Sequence, residues 1–179
     1  MTLVLLIGGA RSGKSALALR LAREQRSPVV FVATAQAGDA EMARRIAQHA
    51  SERPAAWKTI EEPLHLRDAI DRVGRHECLV IDCLTLWTAN ALDAFDAAQI
   101  EADAAAAAGA AAARPGLTVV VTNEVGLGIV PDNPLARTYR DLLGRVNSIW
   151  AQAADHVYLL VAGRALALAK AESISEQLS

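Results

Sequence analysis

Aromatic residues make up only 4% of this 179-residue chain, and it has just two cysteines. No apolar run approaches the ~20 residues of a membrane-spanning helix. The net charge is −2. There is no basic stripe to follow a nucleic-acid backbone and no acidic tail to meet a basic partner, so nucleic acid is not expected as a ligand. Cys78 and Cys83 flank one apolar run. Their odd spacing on a strand turns them to opposite faces, which disfavours a bridge, and it fits no zinc-site pattern. They read as reduced thiols, which points to the cytoplasm. The opening "MTLVLLIGG" is apolar at once and lacks a charged n-region, so it does not read as a secretory signal. No composition shift marks a linker, and a single domain over 1–179 is expected.

Hydrophobic residues are 53% of the chain, with alanine a large share. Five runs, "LVLLIG" (3–8), "VVFVAT" (29–34), "CLVIDC" (78–83), "LTVVVTN" (117–123) and "HVYLLVAG" (156–163), are continuous and unalternating. Strands buried on both faces of a parallel sheet read this way. Helical patterns separate them at 14–25, 39–52, 63–74, about 86–113 and 134–153. This order implies an α/β layered fold with a mostly parallel central sheet. Gly163 lies between two apolar runs, so an antiparallel edge strand is expected at about 165–169. The alanine-rich segment 102–114 reads as an exposed, weakly packed helix, because alanine favours helix but buries little area. The polar tail "KAESISEQLS" reads as frayed.

Residues 8–15, "GGARSGKS", fit G-x-x-x-x-G-K-[ST] directly after the first strand. Gly8, Gly9, Ala10, Arg11, Ser12 and Gly13 would fold around a phosphate with their N–H groups inward, and Gly9 and Gly13 would take positive φ angles. Lys14 would reach the β- and γ-phosphates, Ser15 would hold Mg²⁺, and the helix starting there presents its positive end. The fold expected is therefore a RecA-like P-loop NTPase. Asp82, closing "CLVID", suits a second Mg²⁺ contact through water; the alternative is an N-cap for the next helix. Glu124 closes the "LTVVVTN" run; the alternative is a carboxylate capping its own loop. Thr34, Asp82 and Glu124 all stand at carboxyl ends of strands, where ligands bind in such sheets.

The segment 39–52 reads as a helix entered at Asp39 and stopped before Pro54. At about 100° per residue, Met42, Ile46, His49 and Arg53 share one stripe, while Arg44, Arg45, Gln48 and Glu52 fall on the opposite side. His49 thus continues an inward apolar face. From the residues alone it is either a core or interface histidine or a functional imidazole.

Taken together, "GGARSGKS", "ATAQAGDAEMARRIAQHASERPAAWKTIEEP", "DCLTLWTANAL", "TNEVGLGIVPDNPLARTYRDLLGRVN" and "VYLLVAG" follow one another in an order that resembles the bifunctional adenosylcobinamide kinase/adenosylcobinamide-phosphate guanylyltransferase family of cobalamin biosynthesis. The resemblance covers about 1–92 and 117–169. The H-x-x-x-R-P-x-x-W block at 49–57 and "NEVGLGIVP" at 123–131 are its specific parts. It implies phosphorylation of adenosylcobinamide from a nucleoside triphosphate, then transfer of GMP from GTP through a GMP-histidine intermediate. The matching histidine is His49, preceded by Gln48 where some members carry a second histidine. The resemblance also implies Ala33, Thr34 and Ala35 along the nucleotide, Arg53 and Glu61 holding GTP, ATP and GTP with Mg²⁺ as cofactors, and a homotrimer. His65, His76 and His156 match no motif. Two other readings stand beside this one: an NTPase serving as a regulatory or assembly module with His49 structural, and a small-molecule kinase without the transferase step. A helix of ~12 residues spans roughly 18 Å, so for His49 to reach a nucleotide that helix must project over the phosphate loop, reach a neighbouring subunit's site or swing when GTP binds; the expectation is a projecting helix that also moves, hinged near Gly38 and Pro54.

Overall fold

A computed structural model describes residues 2–171. In chain order its elements are β1 (Thr2–Gly8), α1 (Lys14–Arg23), β2 (Val29–Ala33), α2 (Ala40–Ser51), β3 (Lys58–Glu61), α3 (Leu66–Asp71), β4 (Cys78–Asp82), α4 (Leu84–Leu92), α5 (Ala97–Ala112), β5 (Leu117–Asn123), α6 (Pro134–Ala153), β6 (His156–Val161) and β7 (Arg164–Ala167). One sheet of seven strands runs β3-β2-β4-β5-β1-β6-β7. Every neighbouring pair is parallel except β6–β7, which is antiparallel. The expected α/β architecture with its antiparallel edge strand is present.

The unalternating strands serve two hydrophobic layers. Leu3, Leu5, Val32, Leu79, Ile81 and Val120 point to one layer, where α3, α4, α5 and α6 pack. Val4, Leu6, Phe31, Val80, Val119 and Val121 point to the other, beneath Ala18, Leu19 and Ala22 of α1. Successive side chains on a strand face opposite ways, so a strand covered on both sides has no polar position to spare.

Four features depart from the sequence reading. The span 86–113 is two helices, α4 and α5, parted at Asp93–Asp96, where the Asp96 side chain accepts from Gln99 N at 2.9 Å and caps α5. The alanine-rich helix is no exposed filler: Ala104, Ala107, Ala108 and Ala111 are buried against α3 and α6. Small side chains let neighbouring backbones approach closely, and that offsets the little area each one buries. Buried Arg114 then locks the end of α5 to the loop before β4, donating to the carbonyls of Val73, Gly74 and Glu77. The short edge strand β3 is missing from the reading because only Ile60 of its four residues is buried, too brief a pattern to stand out. The helix expected over 63–74 contracts to α3.

Asp39 caps α2 as expected, accepting from Met42 N at 2.7 Å. Asn133 caps α6, with Pro134 in its first turn. Cys78 and Cys83 are both free thiols. No helix among the described residues is long and apolar enough to cross a membrane. Most of the polar tail lies outside the described residues.

Candidate functional site

The turn from β1 into α1 carries the phosphate loop. Gly13 sits at φ 99° and Arg11 at φ 56°. Gly9, expected to need a positive φ, does not; Gly8 requires glycine instead, because a Cβ there would run into the Leu160 carbonyl of β6. The Gly163 N–H, in the β6–β7 turn, donates to Ser12 O at 3.0 Å, so the hairpin forms an outer wall for the loop. The Lys14 ammonium folds back across the loop, donating to Gly8 O at 2.9 Å and Gly9 O at 2.7 Å. Burial lowers its pKa, opposed by the neighbouring Cys83 and Asp82.

Asp82 closes β4 beside this loop, with the Ser15 hydroxyl near enough to its carboxylate to act on its pKa. Burial raises the Asp82 pKa, against the pull of His49, Ser15, Arg53 and Lys14. The alternative reading of Asp82 as a cap does not apply, since the N-cap position of α4 is Cys83. Among the described residues no group of three or more His, Cys, Asp or Glu is placed to hold a metal. Mg²⁺ does not need one: it keeps several waters and binds through one or two protein oxygens plus substrate phosphates. The Ser15–Asp82 pair fits that ion.

A cleft of about 670 Å³ opens above the phosphate loop. Its floor is residues 10–16, with Asp82 and Cys83; Ala33 and Ala35 reach its side. Its roof is α2. No side chain of α2 is buried, so this helix has left the protein core. The stripe expected to bury Met42 and Ile46 faces the cleft instead, with His49 and Arg53 beside them. Arg45 and Glu52, assigned by the helical pattern to the opposite side, line the cleft as well. They lie only about 60–80° from Met42 at 100° per residue, so the cleft face is wider than one stripe.

The Arg53 guanidinium stacks on Phe31, 3.8 Å from the ring centroid. Its Nε is buried without a hydrogen-bond partner, a donor that an acceptor on a substrate would satisfy. Burial lowers its pKa, opposed by Asp82 and by Glu61 at the end of β3. Glu61 itself is exposed. Thr34 is fully buried, and its hydroxyl is spent on Cys83, donating to the carbonyl at 2.7 Å and accepting from the N–H at 2.8 Å. It braces the start of α4 while its neighbours Ala33 and Ala35 reach the cleft. Glu124 turns back to accept from Gly126 N, as the loop-capping alternative has it. Asn123 enters the cleft wall, held by Thr85 Oγ1 at its N–H and by Asn147 Nδ2 at its carbonyl. His65, His76 and His156 are all exposed, away from the cleft.

Arg45, Glu52, Thr85 and Asn123 were not singled out from the sequence. For the first two the signal was their place on the flank of the α2 stripe. For the others there was none, because the loops that bring them in are set by tertiary packing.

A family model described as cobinamide kinase / cobinamide phosphate guanyltransferase matches residues 4–168. The chain is 45% identical over 160 residues to the bifunctional adenosylcobalamin biosynthesis protein CobP of Pseudomonas aeruginosa, spanning 89% of this chain and 92% of that protein. It is 39% identical over 175 residues to CobU of Escherichia coli, spanning 90% and 96%. A secretion-system ATPase structure superposes with a TM-score of 0.57 at 13% identity, over 98% of this chain and 53% of that one, which speaks for the fold alone. With the family model spanning nearly the whole chain and relatives at this identity, the chain belongs to the cobinamide kinase / cobinamide phosphate guanyltransferase family.

Proposed function

We propose that this enzyme phosphorylates adenosylcobinamide and then converts the product to adenosylcobinamide-GDP, with His49 as the guanylylated residue. The observation that carries the reading is the joint lining of one cleft by a phosphate loop and by His49 on a helix with no buried side chain. In the first step the hydroxyl oxygen of the aminopropanol arm attacks the γ-phosphorus of ATP or GTP. The bond to the bridging oxygen breaks, the nucleoside diphosphate leaves, and the hydroxyl proton goes to solvent. Lys14 and the loop N–H groups hold the transferred phosphoryl group. Mg²⁺, held through Ser15 and Asp82, supplies further neutralisation of phosphate charge.

In the second step a neutral ring nitrogen of His49 attacks the α-phosphorus of GTP and pyrophosphate departs. An oxygen of adenosylcobinamide phosphate then attacks that phosphorus, the N–P bond breaks and the imidazole is regenerated. Arg53 and Glu61 are assigned to holding GTP. The exposed position of His49 keeps its ring free to meet a nucleotide, which a core histidine could not do.

Incubation with GTP labelled at the α-phosphate tests this. Acid-labile, base-stable label on the protein is expected, with none from GTP labelled at the γ-phosphate. Absence of α-label would leave a kinase or an NTPase module. We extend the proposal to a homotrimer in the cytoplasm. The "VGLGIVPDNPL" segment supports association: Leu127 is 84% exposed and Ile129 97%, an apolar surface that a lone subunit has little reason to show water. A monomer by light scattering at micromolar concentration would overturn the trimer.

A further inference from the structure

The cations of the cleft are not equivalent. Lys14 is engaged by the carbonyls of its own loop, and Arg53 is stacked on Phe31. Arg11 belongs to the phosphate loop itself. Arg45 stands on α2, exposed, with no hydrogen bond or ion pair among the described residues. It precedes His49 by four residues, one helical turn or about 6 Å along the axis, on the same cleft-facing side. Its neighbour Arg44 is exposed too, but is absent from the cleft wall.

We propose that Arg45 contacts the departing pyrophosphate during guanylylation of His49, as a catalytic residue for that half of the reaction. The inference rests on the guanylyl-transfer reading above. When the ring nitrogen forms its bond to the α-phosphorus, the bond from that phosphorus to the α,β-bridging oxygen breaks, and its electron pair leaves with pyrophosphate. Negative charge grows on the leaving group. Attack is in line, so the leaving group lies across the α-phosphorus from His49, beyond the reach of the imidazole. Arg45 lines the same cleft as phosphate-loop residues 10–16, where the β- and γ-phosphates would bind, and its long side chain is free to turn toward them. A guanidinium suits that place: it stays charged at all working pH values and can pair two phosphate oxygens at once. Because both side chains ride on one helix, the same movement that presents the nucleophile presents the charge.

The test compares wild type, Arg45→Ala, Arg45→Lys and Arg44→Ala, which loses the same charge from the same helix. Single-turnover labelling from α-labelled GTP should slow about 10²-fold in Arg45→Ala, the usual cost of one transition-state donor. Arg45→Lys should recover part of the rate, and Arg44→Ala should label like wild type. In parallel, inorganic pyrophosphate with Mg²⁺ is titrated into each protein, and affinity should fall about tenfold in Arg45→Ala alone, as for a lost charged contact. Labelling and pyrophosphate affinity unchanged in Arg45→Ala, or equally impaired in Arg44→Ala, would overturn the proposal. If wild type takes up no label, the guanylyl-transfer reading falls. The titration then decides the Arg45 contact by itself: a loss confined to Arg45→Ala upholds it, and equal affinity in all four proteins overturns it.

Discussion

The Ser15 hydroxyl, in the first turn of α1, faces the carboxylate of Asp82 at the end of β4 closely enough to pull its pKa down. Two elements that do not adjoin in sequence thereby present two oxygens to one point above the phosphate loop.

Asp82→Asn should remove Mg²⁺-dependent turnover while making the fold more stable at neutral pH. The sign follows from burial, which raises the carboxyl pKa above 3.8. The folded state then holds the proton more tightly than the unfolded state. Stability is therefore lost as pH rises from about 3.8 through the folded pKa, and asparagine escapes that loss. Melting curves at pH 4 and pH 7 check it: the variant's advantage should be present at pH 7 and shrink toward pH 4. A variant destabilised at both values, with metal dependence intact, would make Asp82 purely structural.

Lys14→Ala should lower both the kinase rate and the GTP-dependent labelling by at least about 10²-fold, since both steps need the triphosphate held by the same ammonium. Initial rates with ATP and with GTP measure this. Transferase activity surviving at the wild-type rate would require a second nucleotide site.

His49→Ala should eliminate the covalent adduct and guanylyl transfer while phosphorylation of adenosylcobinamide persists, because that step uses no protein nucleophile. Separate assays of the two half-reactions decide it. An adduct that remains in the variant would move the nucleophile elsewhere.

Thr34→Val should act on stability more than on chemistry. It keeps the side-chain shape and leaves the Cys83 N–H and C=O without the hydroxyl they now share. The cost is about 2 kcal/mol, or roughly 4–8 °C in melting temperature for a domain of this size. A shift below 1 °C would mean that water replaces the hydroxyl.

Hydrogen exchange over residues 36–56 should be faster than over α6 in the free protein and should slow when GTP is added. A helix with no buried side chain has little to hold it closed. Unchanged exchange with GTP would indicate a roof already fixed over the cleft.

Much of this site can be read from the chain because its parts are local. The phosphate loop is one contiguous octapeptide at a strand–helix junction, and Asp82 ends an unbroken apolar strand. The parallel sheet is equally legible, since strands covered on both faces leave no room for polar alternation. What escaped reading depends on distance in space. Thr34 stands at a strand end facing the ligand crevice, yet its hydroxyl is claimed by Cys83, a partner remote in sequence. The Ala104–Ala111 face looks too small to matter until α3 and α6 close around it. The periodicity of α2 told which side chains share a side, but not that this side meets a solvent-filled cleft rather than a core.

The wall that Gly163 provides for Ser12 ties the order of synthesis to ligand binding. The phosphate loop leaves the ribosome well before the hairpin it leans on. A nascent chain that already contains every phosphate-binding residue still lacks the support that sets the loop's shape. Nucleotide affinity in this protein thus reports a chain made at least through that hairpin, and a triphosphate binding there would favour the form in which the hairpin is folded against the loop.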